Sequence, residues 1–371
     1  MWGGYASSAA EMQTLPSPLR ERLEAAFRVD TVVAEEVTVA DGGLTEKALH
    51  RLADGALVES VLMHYPARGG HVPGGGRRER HTVCISSQAG CAVGCPFCAT
   101  GELGFGRDLE TSEILDQVRH AARRLAAGSG GGRLTNVVFM GMGEPLLNLD
   151  RVLEAVATLS DPDHFGLGAR HVVVSTSGVV PGIRRLAALR PQLTLAVSLH
   201  AARDPLRDVL VPLNRRWTLA EVVAAAREYA RVTGRRVSYE YVMISGVNDT
   251  EADADAICGL LRGDLAHVNL IPMNAVAHTP WQASPPGRVR EFAARLAAGG
   301  VGATVRRNRG QDAGAACGQL AADRAGELPP PAVERRQESI LRQSEAALRG
   351  DRSREAPPDV VPATAAAGEG R

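Results

Sequence analysis

The sequence contains few aromatic residues, no excess of either charge and no long apolar run. Phe, Trp and Tyr make up 4% of the 371 residues, and 42 Lys and Arg residues balance 42 Asp and Glu residues. Balanced charge excludes a basic field over the whole molecule, so a nucleic-acid partner would have to bind a local basic patch. No run approaches the roughly 18 apolar residues of a membrane span, and we expect no membrane association.

The N-terminus lacks a recognisable targeting signal. The stretch MWGGYASSAAEMQTLP has no basic flank followed by an apolar run, which argues against a signal peptide. We therefore expect a cytoplasmic protein in a reducing compartment. There, the six cysteines are better explained by metal binding or catalysis than by disulfide bonds.

Short apolar runs rich in β-branched residues alternate with helical stretches through most of the chain. This alternation predicts an α/β fold whose parallel strands are joined by right-handed crossovers and curve into a partial or full barrel. In such barrels the functional side chains follow the carboxyl ends of the strands. The predicted strands are TVCISS (82–87), NVVFMGMG (136–143), HVVVSTSG (171–178), LTLAVSLH (193–200), VSYEYVMI (237–244), HVNLIPMN (267–274) and the extended piece ATVRRN (303–308).

The composition divides the chain into three segments. Residues 1–58 are expected to form a small helical accessory region, in which PSPLRERLEAAF and TEKALHRLADG predict two helices. Residues 59–323 carry the barrel and a C-terminal loop around Cys317. Residues 324–371 are rich in Pro, Ala, Glu and Arg, which predicts a disordered tail.

Three cysteines lie in one loop after the first barrel strand. Cys91, Cys95 and Cys98 have the spacing C-x₃-C-x₂-C, and Cys84 could complete a four-cysteine zinc site. Zinc cysteines usually come as two short-spaced pairs, however, whereas three thiolates leave one iron of a [4Fe-4S] cluster without a protein ligand. That iron can bind the amino and carboxylate groups of S-adenosylmethionine (SAM), whose cleavage gives a 5′-deoxyadenosyl radical.

Seven motifs, in order across residues 82–320, resemble the RlmN family of dual-specificity RNA adenine-C2 methyltransferases within the radical SAM superfamily. The resemblance implies the superfamily's partial (β/α)₆ barrel, a [4Fe-4S] cluster held by Cys91, Cys95 and Cys98, and two SAM molecules per turnover. The motifs are CISSQAGCAVGCPFCATG, NVVFMGMGEPLLN, VVVSTSGVVPGI, AVSLHAARDPLRDVLVP, YEYVMISGVND, NLIPMN and RGQDAGAACGQL.

The resemblance also implies a substrate and a radical mechanism. The family methylates carbon 2 of an adenine in 23S rRNA and in tRNA, next to the anticodon. One SAM methylates a cysteine, and the adenosyl radical from a second SAM abstracts hydrogen from that methyl group. The resulting carbon radical adds to carbon 2, and after proton loss a second thiol forms a transient disulfide that frees the base.

Three positions match the family's catalytic residues. Cys317 matches the methyl-carrying cysteine, Cys84 the resolving cysteine, and Glu59 the base for the carbon-2 proton. Composition alone would make Cys317 and Cys84 small buried thiols and Glu59 an exposed strand carboxylate. Cys258 matches no family motif and is expected in the core.

The resemblance places SAM-contacting residues at the ends of successive strands. Gly143 and Glu144 of MGMGEP, together with residues at the ends of later strands, match SAM-contacting positions of the family. Helix caps or turns would explain some of these residues equally well. The expected contacts are Gly143, Glu144, Ser175, Ser198, Leu199, His200 and Asn274.

The remaining expectations concern partners. The resemblance implies an electron donor such as flavodoxin or ferredoxin, a monomeric enzyme, and an accessory domain longer than residues 1–58. We therefore expect either that the start of the sequence is misassigned or that the first helices are missing. Arg306, Arg307 and Arg309 precede Cys317 and are expected to form a cationic rim for RNA phosphates, although a solvated arginine surface explains them equally well.

Two alternatives stay open. A sibling class methylates carbon 8 of the same ribosomal adenosine with the same cluster and cysteines, although Pro145 in GMGEPLLN resembles the carbon-2 type. The other is a non-catalytic four-cysteine zinc module that binds RNA.

Overall fold

The computed structural model describes residues 6–67, 78–128, 132–320 and 330–350. Ten of its strands form one sheet and two form a small hairpin. The strands are β1 (Val32–Ala40), β2 (Thr45–Leu52), β3 (Leu57–Tyr65), β4 (Arg80–Cys84), β5 (Gln88–Gly90), β6 (Phe105–Asp108), β7 (Asn136–Phe139), β8 (Val172–Thr176), β9 (Thr194–Ser198), β10 (Val237–Met243), β11 (Ala266–Pro272) and β12 (Ala303–Val305).

Helices follow most of the parallel strands, as the alternating sequence pattern predicts. Several begin at a capping box; in the helix after β9, Thr218 and Glu221 satisfy each other's backbone amides. The helices are α1 (Ser17–Ala26), α2 (Ala99–Glu102), α3 (Thr111–Ala127), α4 (Leu149–Ser160), α5 (Val180–Leu189), α6 (Asp204–Leu210), α7 (Leu219–Thr233), α8 (Glu251–Leu261), α9 (Pro286–Ala298) and α10 (Pro330–Leu348). Among the described helices, none has the length and hydropathy needed to cross a membrane.

The large sheet has the strand order β1-β2-β3-β4-β7-β8-β9-β10-β11-β12. β1 to β4 pair antiparallel, whereas β4 and the strands from β7 to β12 pair parallel. The six predicted barrel strands and the seventh extended piece are therefore confirmed. β1 and β12 lie at the two ends of this order, so the sheet is an open, partial barrel.

Contacts across the sheet show that it is strongly curved. Arg306, directly after β12, reaches to 3.9 Å from the sulfur of Met140, directly after β7, although four strands separate them in the sheet order. Side chains alternate along each strand. In β8, Val172 and Val174 are fully buried beneath the helices, whereas Val173 and Ser175 on the inner face stay partly accessible. The barrel interior is therefore open.

One predicted helix of the accessory region is a strand. PSPLRERLEAAF forms α1 as expected, but TEKALHRL is β2, the middle strand between β1 and β3. A turn at Asp54 and Gly55 folds the chain back, with Gly55 at φ +88° and the Asp54 carboxylate accepting from the Ala56 amide at 3.0 Å. Pairing along both edges of β2 outweighs the modest helix propensity of its residues. β1 to β3 thus extend the barrel sheet.

The predicted disordered tail is wrong for residues 330–348, which form α10. Ile340, Ser344 and Ala347 lie on one side of this helix and are buried, and α10 packs against α6. Their spacing of three and four residues places them on one buried stripe of the helix. The surrounding Glu and Arg residues dominate the composition of the segment, so composition alone does not reveal this stripe. Residues 324–329 and 351–371 of the predicted tail lie outside the described residues.

Candidate active site

The loop between β5 and α2 carries Cys91, Cys95 and Cys98. Gly101 lets this loop turn back tightly, because a Cβ atom there would lie 2.9 Å from both the backbone nitrogen and the backbone oxygen of Cys95. The three thiols interact with one another electrostatically. The loop lies after the first parallel strand, as predicted.

The surroundings of these thiols fit an iron–sulfur cluster. Burial raises the pKa of Cys91 to about 12 and also raises the pKa of Cys95 and Cys98, so without metal the neutral thiols are favoured. The backbone of Val93 opposes this rise in pKa at Cys91, and the backbone of Gly101 opposes it at Cys98. Amide donors stabilise ligating thiolates, and cluster charge would offset the desolvation.

The same cysteines do not form a compact single-ion site. Among the residues that the structure describes, no group of three or more His, Cys, Asp or Glu side chains is arranged to hold one metal ion. A [4Fe-4S] cube binds each thiolate to a different iron, so its ligands need not converge on one point. Cys84, which the zinc alternative requires as fourth ligand, instead interacts with Cys317.

Cys84 and Cys317 are far apart in sequence but close enough to interact electrostatically. Cys84 is buried at the end of β4, whereas Cys317 is the exposed one among the six cysteines. Burial raises the pKa of Cys84 to about 12; the Cys317 thiol adds to this increase, and the Arg306 guanidinium opposes it. The pKa of Arg306 is itself raised, chiefly by Cys317. A guanidinium group beside both thiols favours the thiolate form of Cys84.

Arg306 reaches this position because a buried carboxylate holds it. Its Nη1 lies 3.4 Å from Oε2 of Glu240 on β10. The other oxygen of Glu240 accepts from Ser238 at 2.9 Å and from Asn269 at 2.8 Å. Arg306, expected on an outer cationic rim, therefore points into the barrel.

Asn274 anchors the loop that carries Cys317. Its Nδ2 donates to the Cys317 carbonyl at 2.9 Å, and its Oδ1 accepts from Asn308 at 2.7 Å and from Gln311 at 2.8 Å. A residue predicted to contact SAM thus has its amide directed at the Cys317 loop. It positions Cys317 at the carboxyl end of β11.

The Cys317 loop also bonds to the cysteine-rich loop. The Ala99 amide donates to the Gly318 carbonyl at 2.7 Å, and Thr100 Oγ1 donates to the Leu320 carbonyl at 2.6 Å. These hydrogen bonds join the two loops at the carboxyl-terminal end of the barrel and bring Cys317 next to Cys98, with which it interacts electrostatically.

Gly143 and Glu144 lie in the loop after β7, which packs against the first barrel loop. Gly143 has φ +99°, and a Cβ there would come within 2.5 Å of the Gln88 side chain. Gln88 in turn accepts from the Glu144 amide at 2.8 Å. Glycine is required both for the backbone conformation and for this close approach.

The Glu144 carboxylate is buried and oriented by the neighbouring strand end. One oxygen accepts from the amide and hydroxyl of Ser177 at 2.6 and 2.5 Å, and the other accepts from the Leu146 amide at 3.0 Å. Burial raises its pKa, although these hydrogen bonds counteract the rise. Glu144 interacts electrostatically with Cys91 and Cys95, so it lies where a ligand of the cluster could be held.

Ser175 and Ser198 lie on the inner face of β8 and β9. The Ser175 hydroxyl donates to the Phe139 carbonyl at 2.6 Å, which leaves its oxygen able to accept from a ligand. Leu199 directly follows β9 and is fully buried. These residues share one end of the barrel with Glu144, as the resemblance implies.

His200 has an unusual backbone and a fixed tautomer. Its φ is +56°, and its Nδ1 accepts from the Val242 amide at 3.1 Å, which leaves the proton on Nε2. Burial lowers its pKa to about 3. The ring lies edge-on to Phe97 of the cysteine-rich loop, with centroids 4.8 Å apart. His200 can therefore act as a neutral donor next to that loop.

Arg207 is a site residue that the sequence reasoning missed. It is fully buried, and its guanidinium group donates to the carbonyls of Ser177 and Ser198, both at 2.8 Å, and of Leu199 at 3.0 Å. It also donates to Asn214 at 2.8 Å. Arg207 therefore fixes the ends of β8 and β9 together. Nothing in its residue type distinguishes it from the surface arginines of other helices.

Glu59 on β3 is fully buried and forms an ion pair with Lys47 on β2. Its Oε1 lies 2.9 Å from the Lys47 ammonium nitrogen. Val61 pairs with Cys84 across β3 and β4, so Glu59, two residues along on the same face, is a diagonal neighbour of Cys84. The expectation of an exposed carboxylate from composition alone is wrong, and the buried pair lies beside the predicted resolving thiol.

Comparison with known proteins identifies the family. Residues 85–256 match the Radical SAM superfamily. A relative from Parafrankia sp. (strain EAN1pec), named probable dual-specificity RNA methyltransferase RlmN, is 53% identical over 328 residues, covering 86% of this chain and 82% of the relative. This chain belongs to the RlmN family. A Thermobifida fusca relative of the same name is 50% identical and covers 87% of both chains.

A solved structure supports the same assignment. The crystal structure of a radical SAM methyltransferase from Sphaerobacter thermophilus is 45% identical, covers 87% of this chain and 90% of its own, and superposes with a TM-score of 0.81. The predicted family, fold and enzyme class are therefore confirmed: this RlmN-family chain is a SAM-dependent methyltransferase of the radical SAM type, a class that uses a [4Fe-4S] cluster.

Proposed function

We propose that this protein methylates carbon 2 of an adenine in 23S rRNA and in tRNA, next to the anticodon. The relatives named RlmN support an RNA substrate. The observation that carries the proposal is the pairing of a buried thiol, Cys84, with an exposed thiol, Cys317, beside the cysteine-rich loop. A methyltransferase acting by simple nucleophilic substitution needs no second thiol.

The cofactors would bind at the carboxyl-terminal end of the barrel. Cys91, Cys95 and Cys98 would hold the cluster through one thiolate each. Bound there, the cluster and two SAM molecules per turnover supply the methyl group and a 5′-deoxyadenosyl radical. The SAM contacts are proposed to come from Gly143, Glu144, Ser175, Ser198, Leu199, His200 and Asn274.

Each catalytic side chain then has one task. Cys317 Sγ carries the methyl group whose carbon bonds to carbon 2 of adenine. A carboxylate oxygen of Glu59 takes the proton from carbon 2. Cys84 Sγ then attacks Cys317 Sγ, which forms the disulfide and breaks the bond from Cys317 Sγ to the methylene carbon. That carbon takes up a proton to become the methyl group of the released base, and the surplus electron of the radical adduct would return to the bound cluster. An external two-electron reductant restores both thiols. Flavodoxin or ferredoxin would supply electrons to a monomeric enzyme acting in the cytoplasm, where its RNA substrates are.

Cysteine variants of the reconstituted enzyme test this division of tasks. Cys84→Ala should accumulate protein covalently joined to RNA, because nothing resolves the Cys317 linkage. Cys317→Ala should give neither the adduct nor methylated product. Denaturing gels with labelled RNA measure the adduct.

Cys258→Ala is the matched control, because Cys258 is buried against α9 and has no part in the proposed chemistry. It should behave as wild type. Normal turnover by Cys84→Ala would overturn the assignment.

A further inference from the structure

Two arginine side chains lie against Tyr65 at the end of β3. The Arg80 guanidinium carbon is 4.1 Å from the centre of the tyrosine ring, and that of Arg309 is 4.3 Å away. Both guanidinium groups therefore contact the tyrosine ring. Tyr65 thus holds two positive charges in fixed places by cation–π contacts.

The two charges have no acidic partner in the described part of the chain. Neither Arg80 nor Arg309 forms an ion pair with a residue described by the structure. Arg309 is held by a hydrogen bond from Nη1 to the His64 carbonyl at 2.8 Å, and Arg80 is exposed. Two like charges this close repel each other, and a polyanion would relieve the repulsion.

The arginines lie on the same inner surface as the reactive thiols. Tyr65 pairs with Arg80, and Val61 pairs with Cys84, in one register between β3 and β4. Arg80 and Cys84 are four residues apart and therefore point to the same side of the sheet. Arg306 interacts electrostatically with both Tyr65 and Cys317, which links the arginines to the Cys317 loop.

The barrel interior offers an adenine a route toward Cys317 from the side of the arginine pair. At the carboxyl-terminal end, the cysteine-rich and Cys317 loops are joined by the hydrogen bond from the Ala99 amide to the Gly318 carbonyl. Inner-face residues near the strand starts remain partly accessible, among them Asn136 and Ser238. The open interior therefore leads from the arginine pair toward the thiols.

We infer that Arg80 and Arg309, held by Tyr65, bind phosphate groups of the RNA next to the nucleotide whose adenine enters the barrel. This inference rests on the proposed function, because it takes RNA as the substrate. Planar guanidinium groups donate to phosphate through their N–H edges. Tyr65 contacts the guanidinium faces, so the N–H groups of Arg80, and those of Arg309 other than Nη1, can donate to phosphate. The ring orients the two arginines.

Binding of a fluorescein-labelled RNA hairpin with an adenine in its loop tests the inference. Fluorescence anisotropy with the full-length protein should give a Kd about tenfold higher for Arg80→Ala and for Arg309→Ala. Each change should also reduce the salt dependence of binding by about one phosphate contact. Arg288→Ala, an exposed arginine on α9, should bind as wild type.

Two tyrosine variants distinguish phosphate binding by arginines that Tyr65 positions from nonspecific attraction of RNA to positive charge. Tyr65→Phe keeps the ring and should bind RNA normally, whereas Tyr65→Leu should weaken binding about as much as loss of one arginine. If Arg309→Ala fails to fold, the exposed Arg80 still provides the test.

The outcomes also separate this inference from the proposed function. Wild-type protein that neither binds nor methylates RNA would overturn both. Wild-type protein that methylates RNA while Arg80→Ala, Arg309→Ala and Arg288→Ala bind equally well would overturn the arginine site alone.

Discussion

Lys47 is the only lysine in the chain, and it forms the ion pair with Glu59. A compact ammonium group fits this nearly closed position, with its nitrogen 3.8 Å from where a Cβ on Gly314 would lie. The ion pair holds the Glu59 carboxylate in place beside Cys84. We therefore expect Lys47 to act through Glu59.

Lys47→Met should make Glu59 a poor base, because the carboxylate loses the ion pair that positions it. The covalent RNA adduct should still form through Cys317, but its release should slow by at least about 100-fold. The adduct fraction on denaturing gels measures this effect. Lys47→Arg keeps the charge and should restore part of the rate, whereas Glu59→Gln should accumulate adduct like Lys47→Met. Wild-type release by Lys47→Met would contradict this role.

Spacing and resemblance singled out residues whose positions the structure gives. The three loop cysteines were singled out by their spacing, and Cys84, Cys317 and Gly143 by the motifs around them; their roles stay predictions. The Lys47–Glu59 pair could not be predicted, because a helix over residues 45–55 hides a contact that exists only between paired strands. Arg207 was missed because its partners are backbone carbonyls on two other strand ends.

At the scale of elements, α10 links the C-terminus to the cysteine-rich loop. Arg336 lies 3.3 Å from the carboxylate of Glu102 in α2, and Gln337 donates to the Ala277 carbonyl at 2.9 Å. Ile340 is buried beneath the helix, whereas the adjacent Leu341 is exposed. The helix therefore depends on its buried stripe for docking.

Ile340→Ala should loosen α10, because deleting buried methyl groups costs about 2–4 kcal/mol. Amide hydrogen exchange within α10 should accelerate about 30-fold or more, and exchange in residues 96–102 should rise with it. Leu341→Ala, one position along on the exposed side, should change exchange little. Equal effects of the two substitutions would show that α10 is not docked as described.

Element prediction succeeded where one pattern dominated. The parallel strands are short β-branched runs buried on the helix-covered side, and their sequence alone marks them. β2 has mixed propensity and becomes a strand through its two neighbours. The buried stripe of α10 is narrow within a Pro-, Glu- and Arg-rich segment, so composition predicted disorder there.

At the scale of the whole molecule, the sheet brings distant segments to one end of an open barrel. β4 supplies Cys84, β3 supplies Glu59, and the segment after β12 supplies Cys317. The curvature that assembles them depends on side chains meeting across the sheet, such as Arg306 and Met140. The strands predicted from the sequence imply a barrel, but they do not show which polar side chains contact one another inside it.

The central claim is methylation at carbon 2 of adenine. Reconstituted enzyme should be incubated with SAM, a reductant, and 23S rRNA and tRNA from cells that lack the modification. Liquid chromatography and mass spectrometry of the digested RNAs then identify the product. The account predicts 2-methyladenosine in both RNAs. Formation of 8-methyladenosine, or unmodified adenine from enzyme that cleaves SAM to 5′-deoxyadenosine, would contradict it.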